Sequence, residues 1–355
     1  MRPPANGAGL RIAIAGPMVG RHRGFITTQG EFLTDLFRES GYDVVSTSSR
    51  RGRLVRLTDI TRTLHRELPT VDALIVETYS GLSFLVEDVA SRLARRAGTP
   101  IIFHLHGGGM PEFARRFPRW TGSVLARASA TVAPSPFLAR EMASVVGDID
   151  VIPNVIELDE IAPRLRRAVR PRLLWMRAYH EVYNPVMAVH VLARVRTVHP
   201  DATLTMAGPS KGMIDEVRAA ARALELDGAV ELLGFLDGPA KRAAADRSDI
   251  FINTTHVDNA PVGVVEMCAF GLPVVSTDVG GVRDLLSHEQ SALLVPDGDV
   301  AAMSDAILRL VREPPLAERL STNGASVARR CAWTSVLPQW DALFARVVRR
   351  RAGAA

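Results

Sequence analysis

The stretch Thr255–Gly281, THVDNAPVGVVEMCAFGLPVVSTDVGG, sets two carboxylates, Asp258 and Glu266, around the start of an apolar helical run. Pro261 suits the first turn of a helix, where its missing N–H would be unpaired in any case. The helix is expected to run PVGVVEMCAFG and to stop at Gly271. Its first free amides, at Val262 and Gly263, would form an anion site favoured by the helix dipole, and Gly263 permits a ligand to come close. Glu266, about one turn further in, could accept hydrogen bonds from hydroxyls beside that anion, while Asp258 projects from the preceding loop. A sugar nucleotide is one ligand that presents hydroxyls, a diphosphate and more hydroxyls in a row. Equally, Asp258 could be a turn or capping residue and Glu266 an ion-pair partner.

FHLHGGG is a second constellation. A strand PIIFHLH delivers His104 and His106 to one side, since residues i and i+2 of a strand share a face. Two imidazoles so placed could ligate a metal, but the sequence offers no third ligand, and no metal is expected. The glycines of GPMVGRHRG, Gly20 and Gly24 among them, follow the first apolar run and would let a ligand approach the backbone. The two cysteines, Cys268 and Cys331, lie far apart without metal-ligand spacing. Cys268 falls in the apolar helical pattern and reads as a small buried hydrophobe.

These residues need elements to hold them, and a strand-then-helix rhythm supplies them. LRIAIAG, DVVSTS, ALIVET, PIIFHLH, ATVAPS and DIDVIPNVIE are β-rich runs separated by helical patterns. After the arginine-rich stretch LDEIAPRLRRAVRPR, which reads as a linker, the rhythm restarts with RLLWMR, ATLTMAG, AVELLG, DIFINT, PVVST and ALLVP. Strands alternating with helices of this length indicate βαβ units and parallel sheets. The fold class is therefore α/β with two doubly wound domains, and the cleft between them, at strand carboxyl ends, is the default ligand site.

Composition narrows the function classes. At 355 residues, 47% hydrophobic and 23% charged, the chain is long enough for two globular cores and far from the disordered class. MRPPANGAGL lacks the apolar core of a signal peptide, and no segment approaches 18 uninterrupted apolar residues, so a cytoplasmic protein is expected. The net charge is +5, and the positive charge is almost all arginine, lysine occurring only at Lys211 and Lys241. The basic runs SSRRGRLVR, RLRRAVRPR and RVVRRRAGAA read first as solvated faces. Their functional alternative is attraction to anionic lipid or phosphorylated ligands, which allows a peripheral place at the inner membrane face. Nucleic acid is not expected as a partner, because aromatics are 6% and no such motif interleaves with the charge. A Rossmann oxidoreductase is disfavoured, since GPMVGRHRG is not G-x-G-x-x-G.

Asp258-x7-Glu266 followed by MCAFGLPVVSTDVGG resembles the E-x7-E signature of the retaining glycosyltransferases of family 4. VIPNVIE, LLWMR, AVELLGFL, ADRSDIFINTT and SALLVPDGD resemble further family segments in the same order. The resemblance covers nearly the whole chain and is closest in residues 150–300.

The resemblance implies a GT-B fold, two Rossmann-like domains facing across a cleft. Residues 1–160 would form the acceptor-side domain, completed by a C-terminal helix 333–350, and residues 170–332 the donor-side domain. It implies retaining, metal-independent transfer of a hexose-type sugar from a nucleotide-sugar co-substrate, with no other cofactor. A UDP-sugar is favoured on family frequency, with GDP-mannose as the other donor. By motif, Glu266 would hold the ribose hydroxyls and Asp258, where the family usually has Glu, would face the transferred sugar. Arg177 matches the arginine that clamps the diphosphate, His106 the histidine that contacts the donor sugar, and Gly234 and Phe235 fall in a donor-side strand motif. The family's lysine after that arginine is missing, Val182, Tyr183 and Asn184 standing there, and Lys211 is the expected substitute. The acceptor is open: a cell-envelope glycan, a lipid-linked acceptor or a small metabolite. A sugar-nucleotide 2-epimerase of the same fold, or a non-catalytic nucleotide-binding module, is the alternative.

Overall fold

Two six-stranded sheets, every pairing in them parallel, carry the chain. They belong to two units, Met1–Val155 with Ala332–Ala355, and Ile156–Cys331. The computed structural model describes residues 9–20, 28–156 and 163–352.

In the first unit the strands are β1 (Arg11–Ala15), β2 (Asp43–Thr47), β3 (Ala73–Thr78), β4 (Ile101–Leu105), β5 (Ala130–Ala133) and β6 (Asp150–Val151). Their order across the sheet is β2-β1-β3-β4-β5-β6, so the winding reverses between β1 and β3. The connecting helices are α1 (Gln29–Glu39), α2 (Arg53–Glu67), α3 (Phe84–Ala97), α4 (Met110–Arg116), α5 (Pro118–Leu125) and α6 (Pro136–Val146). Strand side chains alternate between faces. Ile12, Ile14 and Ile75 therefore enter one core with Trp333, Trp340 and Phe344 of the chain's last helix, Trp333–Ala352. Ala13, Leu74 and Val76 enter the opposite core with Ile60, Leu64 and Phe84. Both faces are covered, which is why these strands read as unbroken apolar runs. At the head of α1, Thr28 and Glu31 form a reciprocal capping box that fixes where the loop after β1 becomes helix.

The second unit has β7 (Arg172–Met176), β8 (Thr203–Ala207), β9 (Val230–Leu232), β10 (Ile250–Asn253), β11 (Val274–Thr277) and β12 (Leu293–Val295). They lie in the order β12-β11-β10-β7-β8-β9, the doubly wound pattern with its reversal between β7 and β10. Its helices are α7 (Pro185–Arg196), α8 (Ile214–Ala223), α9 (Gly238–Arg247), α10 (Val262–Ala269), α11 (Val282–Leu285), α12 (Val300–Arg312) and α13 (Pro314–Arg329).

The stretch read as a linker is corrected in part. Residues 157–162 lie outside the described residues, but Arg166 is buried inside the second unit. Its guanidinium donates to the carbonyls of Arg164, Ala245, Ser248 and Phe270, at 2.5–3.1 Å. Two of those acceptors, Ser248 and Phe270, lie just past the ends of α9 and α10, where orphan carbonyls and the helix dipoles favour a cation. Burial still pushes the Arg166 guanidinium down to about 10. An arginine run that looks solvated in sequence is here partly a clamp between two helix ends.

Candidate active site

The reversal between β7 and β10 gathers the residues around Asp258. Arg177 directly follows β7, and its backbone N–H donates to the carbonyl of Ala207 at the end of β8. Its guanidinium pairs with the Asp258 carboxylate, both side chains 13% exposed. The same group lies 5.1 Å from the centre of the Tyr183 ring. Tyr183 is one of the residues in place of the family's lysine, so this segment offers an aromatic face that braces Arg177. The buried Nε of Arg177 has no hydrogen-bond partner among the described residues, a donor left for a ligand oxygen.

The helix expected from Pro261 begins at Val262, with Pro261 in the capping position. Val264 and Val265 donate back to the Pro261 carbonyl, at 2.9 and 3.1 Å. The amides of Val262 and Gly263 come before them, where a helix has no internal acceptors. A Cβ at Gly263 would stand 3.6 Å from the Met176 carbonyl oxygen and 3.9 Å from Arg177 Nη1. The head of α10 thus lies against the end of β7, beside the guanidinium.

The Gly-Gly turn explains itself at the same place. Gly281 N–H donates to the Asp258 carbonyl at 2.8 Å, and a Cβ on Gly281 would lie 1.9 Å from the Asn259 carbonyl oxygen. Only glycine lets this turn close on the loop that carries Asp258. Gly208 does the same on the other side, its missing Cβ avoiding a 1.8 Å clash with the Arg177 carbonyl oxygen at a φ of +150°. Gly208 N–H donates at 2.7 Å to the carbonyl of Gly234, which sets Gly234 on the rim next to Arg177's backbone. Phe235 follows it, 61% exposed.

Both carboxylates are ion-paired, as the bland reading of Glu266 had it. Lys241 of α9 holds Glu266 Oε1 at 2.6 Å, each side chain about a quarter exposed. Sequence reasoning missed Lys241. Nothing in the spacing of a helix two elements upstream predicts that contact; the rarity of lysine in this chain was the available signal. Lys211 lies on the loop after β8, its N–H bonded to the Tyr179 carbonyl at 3.2 Å and its residue exposed.

His106 belongs to the first unit, just past β4, buried with His104. The third member of the group, Glu77 of β3, was also missed. Parallel pairing sets Glu77 beside His104, a register that only the sheet order reveals. Gly20 donates its amide to both Glu31 oxygens, at 2.8 and 2.9 Å, so that amide is already engaged. Gly24 lies outside the described residues. Among the described residues no helix is long and apolar enough to cross a membrane. Cys268 is buried, and burial pushes its thiol up to about 12, as expected of an inert packing residue.

Two all-parallel units, with an arginine, two carboxylates and a helix head gathered at a switch point, are those of the GT-B glycosyltransferases. The model for Glycosyltransferase Family 4 matches residues 49–160 and that for Glycosyl transferases group 1 matches residues 160–327, and the chain belongs to this family. A phosphatidyl-myo-inositol mannosyltransferase of Mycobacterium leprae is 30% identical over 57% of this chain and 55% of the relative. A glycogen synthase of Mycobacterium tuberculosis is 26% identical over 66% of this chain and 60% of the relative. The chain therefore spans little more than half the length of these relatives. Among solved structures, Anabaena HepE, in complex with UDP and glucose, superposes with a TM-score of 0.74 at 17% identity, covering 95% of this chain and 99% of that one. The sucrose-phosphate synthase of Thermosynechococcus elongatus reaches 0.78 at 15%, covering 98% and 100%. At such identities these two speak for the fold.

Proposed function

We propose that this protein moves a hexose-type sugar from a nucleotide-sugar donor to an acceptor with retention of anomeric configuration and without a metal ion. The observation that carries the reading is the Arg177–Asp258 pair at the switch point of the second unit, against the first amides of α10. A departing nucleotide diphosphate needs positive charge, and Arg177 with its free Nε–H and the Val262 and Gly263 amides supply it without magnesium. Glu266 keeps Oε2 for the ribose hydroxyls while Lys241 holds Oε1. Asp258 accepts from hydroxyls of the transferred sugar, and His106, in the first unit, is the histidine that the family resemblance assigns to the donor sugar. Lys211, on the β8 loop, adds charge for the leaving group.

A UDP-sugar is the favoured donor, in keeping with the UDP in HepE; a mannosyl donor carrying GDP is the other. For the acceptor, a lipid-linked glycan has one feature in its favour. Leu54 and Val55, at the start of α2, are 81% and 58% exposed within the arginine run that includes Arg50, Arg51 and Arg56. Exposed apolar side chains within an arginine-rich run suit an anionic membrane surface.

Thermal-shift titration separates the possibilities first: stabilisation by UDP or GDP, and none by NAD, is expected. Transfer to a panel of acceptors, read by mass spectrometry and by the anomeric proton coupling of the product, then tests transfer and retention. Turnover should survive excess EDTA. Loss on chelation that magnesium or manganese restores contradicts the mechanism, and a product formed from donor alone supports the epimerase.

A further inference from the structure

Glu77 and its two histidines form a closed group. Glu77 Oε1 lies 3.2 Å from Nδ1 of His104, and Oε2 is in direct contact with Nε2 of His106. The three side chains are 1–7% exposed. A Cβ on Gly16 would come within 2.6 Å of the Glu77 side chain, and one on Gly30 within 2.8 Å, so the carboxylate is walled into one position. The Trp340 ring stands edge-on 5.4 Å from His104, and the Tyr79 ring stacks on His106 at 5.1 Å. The backbone N–H of His106 donates to the Thr78 carbonyl at 2.8 Å.

A carboxylate is acceptor-only, so each imidazole must offer it an N–H. Burial pushes the Glu77 carboxyl up, but His106 first and then His104 outweigh it and hold the group below the usual carboxylate range. An ionised Glu77 thus has its two oxygens shared between two rings, one to each.

We propose that Glu77 is the positioning residue for His106: it fixes the rotamer of the ring and keeps the proton on Nε2, so that Nδ1 is the atom turned toward the transferred sugar. This rests on the reading of His106 as a sugar-contacting residue. His104 takes the second oxygen and removes the carboxylate's freedom to turn.

The wild-type protein tests the assignment directly. Nitrogen-15 spectra of the histidine rings should show His106 protonated at Nε2, with Nδ1 as the bare nitrogen. A His106 carrying its proton on Nδ1 alone overturns the proposal with the reading of His106 intact. One zinc per purified chain by elemental analysis overturns it too, because the cluster would then be a metal site.

Glu77→Gln supplies the kinetic arm. A carboxamide has one acceptor and one donor, so it cannot accept from both rings, and one tautomer must change. Expected are an altered His106 ring spectrum, an unchanged nucleotide Kd, and a kcat lower by about 100-fold, the scale of a misplaced reacting group. Glu77→Asp, which restores two acceptors at shorter reach, should recover part of that loss. In a His106→Ala background Glu77→Gln should cost less than about twofold, since residues acting as a unit are non-additive. A full additional loss there assigns Glu77 a role independent of His106 and overturns the proposal. Full turnover by His106→Ala alone removes the underlying reading.

Discussion

The two units place charge at their sheet reversals in opposite ways. In the second unit, Arg177–Asp258 and Lys241–Glu266 lie at a rim that leaves their side chains 13% and about a quarter exposed. In the first, Glu77, His104 and His106 are buried, 1–7% exposed, with Gly16 and Gly30 against Glu77 and the Trp340 and Tyr79 rings against the histidines. The Lys241–Glu266 pair, about a quarter exposed, is worth less to stability than a buried one, so Glu266 can take a ligand hydroxyl at smaller cost. A sealed group cannot: removing one partner strands a buried charge. The rim is thus suited to bind and release a donor, and the closed cluster to hold one ring still.

The largest expected effect breaks the rim. Arg177→Ala should lower turnover by about 10²–10³-fold, the loss usual for one electrostatic donor to a developing anion. Its unfolding free energy should also fall, since the variant leaves a largely buried Asp258 without its partner, by at most the ~3–5 kcal/mol expected for breaking a buried pair. Lys211→Ala should cost about 2–4 kcal/mol of transition-state stabilisation if it shares the leaving-group charge. The double variant should then be less than additive. Wild-type turnover in Lys211→Ala leaves Arg177 and the α10 amides as the whole of the anion support.

How much of this was legible in the sequence differs between the two regions. All twelve β-rich runs are strands; the central ones, covered on both faces, are unbroken apolar segments, and the alternation with helical patterns marks the rest. The rim was largely legible as well, since Asp258, Val262, Gly263 and Glu266 are local in the chain and Arg177 ends a recognisable strand. Lys241 and Glu77 were not. Their partners come from other elements, and the pairings depend on helix docking and on strand register, which no local periodicity encodes. The capping position of Pro261, one residue outside the helix, shows the ordinary limit of boundary reading. Arg166 shows a different limit: charge runs do not announce which member finds carbonyls inside.

A smaller effect sharpens the comparison within the rim itself. Glu266→Ala should weaken UDP binding by about 10- to 100-fold, the worth of hydrogen bonds to a charged group, with the fold intact by circular dichroism. If Glu266 holds the ribose as proposed, Lys241→Ala should change Kd only a few-fold, because both Glu266 oxygens are then free for it. Calorimetric titration of UDP into the two variants checks the order. Equal and large losses would mean that Lys241 itself meets the nucleotide.

The smallest effect on turnover belongs to the sealed region. Glu87 on α3 is buried, its Oε1 taking the Tyr79 N–H at 2.8 Å and its Oε2 without a partner among the described residues. Burial pushes its carboxyl up to about 8. The sign follows from linkage. Between the ordinary glutamate range and pH 8 the folded protein keeps this proton and the unfolded chain does not, so the group destabilises the fold progressively as pH rises. The slope is at most about 1.4 kcal/mol per pH unit. Glu87→Gln keeps the shape and removes the titration. Its melting temperature should therefore gain on wild type from pH 5 to pH 8 and then level off, while nucleotide affinity, read on the second unit, stays the same. A difference between the two proteins that is flat across this range would mean that Glu87 titrates as an ordinary carboxylate, and that the sealing of the first unit stops short of α3.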